Sequence, residues 1–298
     1  MPREMLLPEM VSPPARAQEK MPGRIRRPYA NPSFSDIDMS RWKEYLGDII
    51  TDSLWLLGAR DRTGPHVGDY HGNFVPQIAY QVITRFTKRG ELVLDLFSGM
   101  GTTLIECRHL GRHGIGVELN HEVVRSSHER IMEAANPHNI KTSLVNGDST
   151  SPTVLEKVKI LIKDLGRTNV QHVVLHPPYW DIIQFNDDPR DLACAPTGEE
   201  FIKRFEQVVR HAHQVLENRR FMTLVIGDKY AKGEWVPLGF ECMNMCRRVG
   251  FKLKAINVKD IQGNEKGKGK KGNLWKYRAL KQGFYVFKHE YIMIFQKV

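Results

Sequence analysis

Two hydrophobic rhythms alternate along the chain. Short, nearly continuous apolar runs occupy residues 92–96, 115–119, 143–145, 170–175, 221–226, 251–258 and 289–295. Between them, over 77–87, 102–110, 122–135, 153–166, 199–216 and 237–249, apolar residues recur at three- and four-residue steps, as Val154, Leu155, Val158, Leu161, Ile162 and Leu165 do. The first rhythm is that of buried strands and the second that of amphipathic helices. Strand and helix in alternation predict an α/β fold, a doubly wound and mostly parallel seven-stranded sheet. The last two strands are placed to pair antiparallel. A further helical pattern covers 35–57, where Trp42, Tyr45, Leu46, Ile49, Ile50 and Leu57 share one face. Residues 1–33 are rich in Pro and Arg and show neither rhythm, so they read as a flexible basic arm in front of a domain covering 34–298.

The best-defined stretch is 92–120. Its first strand ends in Asp95-Leu96-Phe97-Ser98-Gly99-Met100-Gly101, a helix opens at Thr102-Thr103, and the next strand closes in Glu118-Leu119-Asn120. This is a β-α-β unit with glycines at the strand-to-helix turn. There the backbone can approach a ligand, and the free N–H groups of the helix start favour negative charge. Glu118, at the tip of the second strand, is placed to accept hydrogen bonds from two ribose hydroxyls. The third glycine of the dinucleotide fingerprint is missing, since Gly101 is followed by Thr102, Thr103 and Leu104.

The strand over 170–175 is closed by His176-Pro177-Pro178-Tyr179-Trp180. Two prolines cannot continue a central strand, so the chain turns out at the carboxyl edge of the sheet, where open α/β sheets bind ligands.

The order of these motifs resembles S-adenosyl-L-methionine (SAM)-dependent DNA amino-methyltransferases, of the cytosine-N4 and adenine-N6 type. The resemblance covers about residues 70–295. It rests on a closing segment, D-x-F-S-G-x-G-T-T, G-V-E-L-N, N-G-D-S and x-P-P-Y, in that order. It implies a Rossmann-like SAM methyltransferase fold with SAM as cofactor. The cofactor residues it implies are His71, Phe74 and Pro76 of the closing segment, Asp95, Phe97, Ser98, Gly99, Gly101, Thr102 and Thr103 of the glycine loop, Glu118 and Asn120, and Asp148, which would receive the adenine amino group. It implies the catalytic set His176, Pro177, Pro178 and Tyr179, acting on a base flipped out of a duplex. The first residue and the following carbonyl would accept hydrogens of an exocyclic amine, and the aromatic ring would stack on the base. The family usually has Asp, Asn or Ser where this chain has His176. Neutral imidazole accepts one hydrogen bond and imidazolium none, which predicts activity falling as pH drops through about 6 to 7. Trp180 resembles the cytosine-N4 branch, and cytosine N4 is favoured over adenine N6. An RNA base amino-methyltransferase and a catalytically inactive SAM-fold partner are the alternatives.

Charge adds a partner. The net charge is +10, and residues 252–281 hold ten Lys or Arg against Asp260 and Glu265. Lys266, Lys268, Lys270 and Lys271 alternate with glycines and lead into Trp275, Tyr277 and Arg278, a mixture suited to phosphate contact and base stacking. Residues 255–289 are therefore the candidate recognition insertion for DNA, with RNA as the other polyanion. A homodimer or a separate specificity partner is compatible with so small an insertion. Four cysteines without paired spacing predict buried thiols and no metal site. No signal-peptide core or bilayer-length apolar run is visible, and the expected location is the cytoplasm.

Overall fold

The computed structural model describes residues 32–70, 72–261 and 272–298. The doubly wound α/β architecture is present. Strands β1 (Leu54–Trp55), β2 (Leu92–Asp95), β3 (His113–Glu118), β4 (Thr142–Asn146), β5 (Val170–Leu175), β6 (Leu216–Ile226), β9 (Phe251–Asp260) and β10 (His289–Lys297) form one sheet in the order β1-β9-β10-β6-β5-β2-β3-β4. A separate antiparallel pair, β7 (Lys229–Ala231) and β8 (Glu234–Val236), lies beyond β6. The helices are α1 (Pro76–Phe86), α2 (Thr102–Leu110), α3 (His121–Glu133), α4 (Pro152–Asp164), α5 (Gly198–Val215), α6 (Leu238–Val249) and α7 (Gly272–Gln282).

The strands at the centre are buried on both faces, as their continuous apolar runs require. All four residues of β2 and all six of β5 are buried. Their alternate side chains go to opposite layers. Leu92 and Leu94 join Val158, Phe201, Phe205 and Met245 of α4, α5 and α6 in one core. Val93 and Val174 join Ile78, Val82, Ile83 and Phe86 of α1 in the other.

The topology places a switch point between β2 and β5. From β2 the chain winds outward through β3 and β4, then crosses back so that β5 lies on the other side of β2. The chain leaves β2 and β5 in different directions at the same carboxyl edge, the usual ligand position in such sheets. The expected antiparallel pairing of the last two strands is also present. Strand β10 runs antiparallel to both β9 and β6 and closes the sheet between them.

Three features depart from the expected elements. The helix read over 35–57 is a 3-10 helix only over Met39–Gly47, after which the chain extends and adds β1 as an eighth strand parallel to β9. Here the Ser53 carbonyl accepts from the Val258 N–H, and Trp55 is buried, so strand pairing overrides the helical periodicity. Strand β6 begins at Leu216, where a helix end was read, with Arg219 at φ +66° and a register shift against β5. The β7–β8 hairpin and α7 fall where the sequence pattern predicted no regular element. Among the described residues, no helix is long and apolar enough to cross a membrane.

Candidate active site

The glycine loop is built from below. Asp95 is fully buried at the end of β2, accepting from the Phe97 N–H at 2.9 Å and from the Thr103 hydroxyl at 2.5 Å. It ties the start of the loop to the first turn of α2, and burial pushes its pKa up to about 6. The loop can turn this sharply because Gly99 and Gly101 both have positive φ, +49° and +82°. Thr102 and Thr103 are buried in the helix start, and Phe97 packs against Phe205 beneath the loop.

Glu118 stands beside this loop at the tip of β3. One carboxylate oxygen accepts from the Gly99 N–H at 3.0 Å and the other from the Asn120 N–H at 2.8 Å. Two bonds leave acceptor capacity on both oxygens. Burial raises its pKa. The Asn120 side chain caps α3, accepting from the N–H groups of Glu122 and Val123. Asp148 follows β4 in a tight turn, accepting from the Thr150 N–H and hydroxyl.

The His176–Tyr179 segment leaves β5 at the same edge. The His176 ring meets Phe74 of the closing segment edge-on, with centroids 5.2 Å apart. The structure thus brings the closing segment and the x-P-P-Y motif into contact, while Pro76 opens α1. Pro177 is buried and Pro178 half-buried. Tyr179 lies across the backbone of Gly227, where a Cβ would come within 2.8 Å of the ring. Its hydroxyl donates to Glu290 at 2.7 Å and lies 3.3 Å from His176 Nε2. Trp180 follows at φ +51°, its indole N–H donating to the Ala195 carbonyl, and the Lys229 ammonium sits 3.8 Å above its ring. A non-glycine residue at positive φ is strained backbone held by its surroundings, as is common at functional sites.

Burial changes the expected titration of His176. Desolvation lowers its pKa to about 4, with Glu290 opposing and Lys259 reinforcing the shift. The ring stays neutral across the pH range in which its protonation was expected, so a fall in activity through pH 6 to 7 no longer follows from this residue.

Several contributors have no sequence signal. Tyr70 stacks on Phe185 over the glycine loop, with ring centroids 6.0 Å apart, and a Cβ at Gly99 would come within 3.9 Å of Tyr70. Two loops distant in sequence therefore meet above the strand tips. The segment before the closing residues is anchored to α2 by His66 and Glu106, whose ring nitrogen and carboxylate are 2.7 Å apart in the interior. A cavity of about 280 Å³ lies to one side, between Asp69, Tyr70, Met100 and Arg130, and does not include Glu118.

A second cavity, about 250 Å³, opens beyond Trp180 and is lined by Lys229, Tyr230, Trp275, Phe284 and Tyr285. The Arg278 guanidinium lies over Trp275, and Tyr277 is exposed on α7. His71, Lys266, Lys268, Lys270 and Lys271, like the arm at 1–31, lie outside the described residues.

Residues 18–129 match the model of a family described as DNA methylase. The chain is 34% identical over 87 residues to the Type II methyltransferase M.MjaII of Methanocaldococcus jannaschii, covering 26% of this chain and 16% of that protein. It is 36% identical over 112 residues to M.MthZI of Methanothermobacter thermautotrophicus, covering 33% and 31%. Over these stretches the chain is similar to DNA methylases. It matches less than a third of the length of these relatives, and the family match ends before His176. Among solved structures, TrmN from Thermus thermophilus is similar at 15% identity and a TM-score of 0.46, covering 76% of this chain and 49% of that one.

The cofactor of the DNA amino-methyltransferases is SAM, and the groups at the strand tips fit it. Glu118 offers spare acceptor positions for ribose hydroxyls, and Gly99 and Gly101 carry no side chain at the turn beside it. The Ser98 hydroxyl, buried in the loop, has no hydrogen-bond partner among the described residues. The four cysteines are free, and three of them, Cys107, Cys242 and Cys246, are buried as expected of core thiols.

Proposed function

We propose that this chain transfers the methyl group of SAM to an exocyclic amino group of a flipped DNA base, cytosine N4 in preference to adenine N6. The observation that carries the proposal is the meeting of His176 with Phe74 at the tip of β5, next to the β2 tip that bears the glycine loop. We read the donor side and the acceptor side of a methyl transfer as neighbours at this edge, a reading that the contact supports.

SAM, when bound, supplies the activated methyl group. The protein's task is then to hold an amine whose lone pair is delocalised into its ring. His176, kept neutral by burial, accepts one amine hydrogen, and the Pro177 carbonyl accepts the other. With both hydrogens held, the nitrogen lone pair is turned out of the ring plane, and this orientation accounts for much of the acceleration. The Tyr179 ring stacks on the base and repays part of the few kcal/mol spent in unstacking it. Glu118 holds the ribose, and Asp148 receives the adenine amino group. Trp180 is the residue that favours cytosine. Residues 255–289 and the aromatic cavity around Trp275 grip the nucleic acid, with a homodimer or a specificity partner extending that surface.

Incubating the chain with tritiated SAM and DNA, followed by nucleoside analysis, tests the reading. Label in N4-methylcytosine is the expected result. Label in N6-methyladenine corrects the base. Label only in RNA, or none with SAM still bound, overturns the proposal.

A further inference from the structure

At the carboxyl edge of the sheet, three strands meet at Tyr179. Its ring leaves the tip of β5, passes over Gly227 at the tip of β6, and reaches Glu290 near the start of β10. Only a residue without a side chain at 227 lets the ring cross β6. Glu290 is in turn paired with Lys259, its direct cross-strand neighbour on β9, at 3.0 Å. Lys259 and Glu290 are both buried, 7% and 8% exposed. A buried ion pair is weak evidence for stability, because desolving both ions offsets their attraction. Its placement against the x-P-P-Y motif calls for another explanation.

Proton counting supplies one. The Tyr179 hydroxyl has a single hydrogen. It is committed to Glu290, whose carboxylate, paired with Lys259, can only accept. Toward His176 the same oxygen can therefore act only as an acceptor, and the 3.3 Å contact requires a proton on Nε2 of the ring. A neutral imidazole carries one proton, so Nδ1 is left with its lone pair. Nδ1 makes no hydrogen bond among the described residues and is not sealed in the interior.

We propose that Glu290, held by Lys259, is a positioning residue that acts through Tyr179 to fix His176 in its Nε2–H form, leaving Nδ1 as the hydrogen-bond acceptor for the target amine. The role of Nδ1 rests on the proposed function; the tautomer does not. In this chain an imidazole with a fixed proton takes the place of the side-chain oxygen of the more usual Asp, Asn or Ser.

The test is nitrogen NMR of the full chain labelled with ¹⁵N-histidine, with His176 assigned by the signals lost in His176→Asn. The wild type should show a protonated Nε2 and an unprotonated Nδ1. In Glu290→Gln the amide can donate to the tyrosine oxygen, freeing the hydroxyl to donate to Nε2, so the tautomers should mix or exchange. Gly227→Ala reaches the same result without altering an ionisable group, by displacing the ring. In both variants kcat should fall about 100-fold while SAM affinity is unchanged. A proton on Nδ1 in the wild type, or a tautomer unmoved in both variants, overturns the proposal. If the tautomer is as stated and responds in the variants, but no DNA is methylated by the wild type, the relay stands and the proposed function fails.

Discussion

At the scale of single residues, what the site can bind depends on which polar atoms remain free once the fold is made. Glu118 is bonded at both oxygens, to the Gly99 and Asn120 N–H groups, and is still under-used. Glu118→Ala should weaken SAM binding about 100-fold, the loss of roughly 3 kcal/mol for charge-assisted hydrogen bonds in a half-buried site. Calorimetry checks this, with the melting temperature of the free protein reporting any damage to the fold. His176 makes a prediction of opposite character. Its folded-state pKa of about 4 keeps the imidazole neutral and accepting above that value. At saturating SAM, kcat should be level from pH 8 to 5 as far as this residue is concerned. A fall through pH 6 to 7 under those conditions would mean that His176 titrates normally and does not sit where burial holds it neutral.

At the scale of elements, the parts legible in the sequence are those whose meaning is local. The glycine turn, Glu118 and the double proline each sit at a strand tip, and a strand tip can be located from the end of an apolar run. Gly101 shows how strict the turn is. It is left-handed at φ +82°, and an added Cβ would lie 2.7 Å from Ile131 on α3. Gly101→Ala should therefore cost about 1 to 3 kcal/mol from backbone strain alone and lower the melting temperature. The same change at the exposed Gly47, which has open space around it, should have little effect. The parts that were not legible depend on register. Lys259 and Glu290 become neighbours only through the pairing of β9 with β10, and Tyr179 reaches them only across Gly227. Tyr70 and Phe185 meet through two loops with no periodicity. Strand β1 was hidden because Leu54 and Trp55 continue a helical spacing, while the backbone of β9 gave them a pairing partner.

At the scale of the molecule, the fold keeps two neutral imidazoles near its central strands, and they make it more sensitive to acid. His172, buried between β5 and β6, has its pKa lowered to about 3 by desolvation, and His176 to about 4. Both contribute stability that is complete above the unfolded value near 6.5 and is lost as pH falls toward the folded values. Asp95 acts in the opposite sense. Raised to about 6, it contributes stability that is present below its unfolded value of 3.8 and is lost as pH rises through 6. Between pH 6 and 4 the two histidines outweigh the one carboxyl, giving a net loss on the order of 1 kcal/mol per pH unit from these groups. Urea unfolding at pH 7, 6 and 5 should show the midpoint dropping, and His172→Phe should make the drop shallower. Both proposed substrates approach one edge because the strand order reverses between β2 and β5. The most direct measurement of that claim is a crystal structure of the chain with a non-reactive SAM analogue and a short duplex. The account predicts the analogue's ribose on Glu118 and an extruded base against Tyr179 in one continuous crevice. An analogue bound away from Glu118, or a base bound where it cannot face the analogue's sulfonium position, would contradict it.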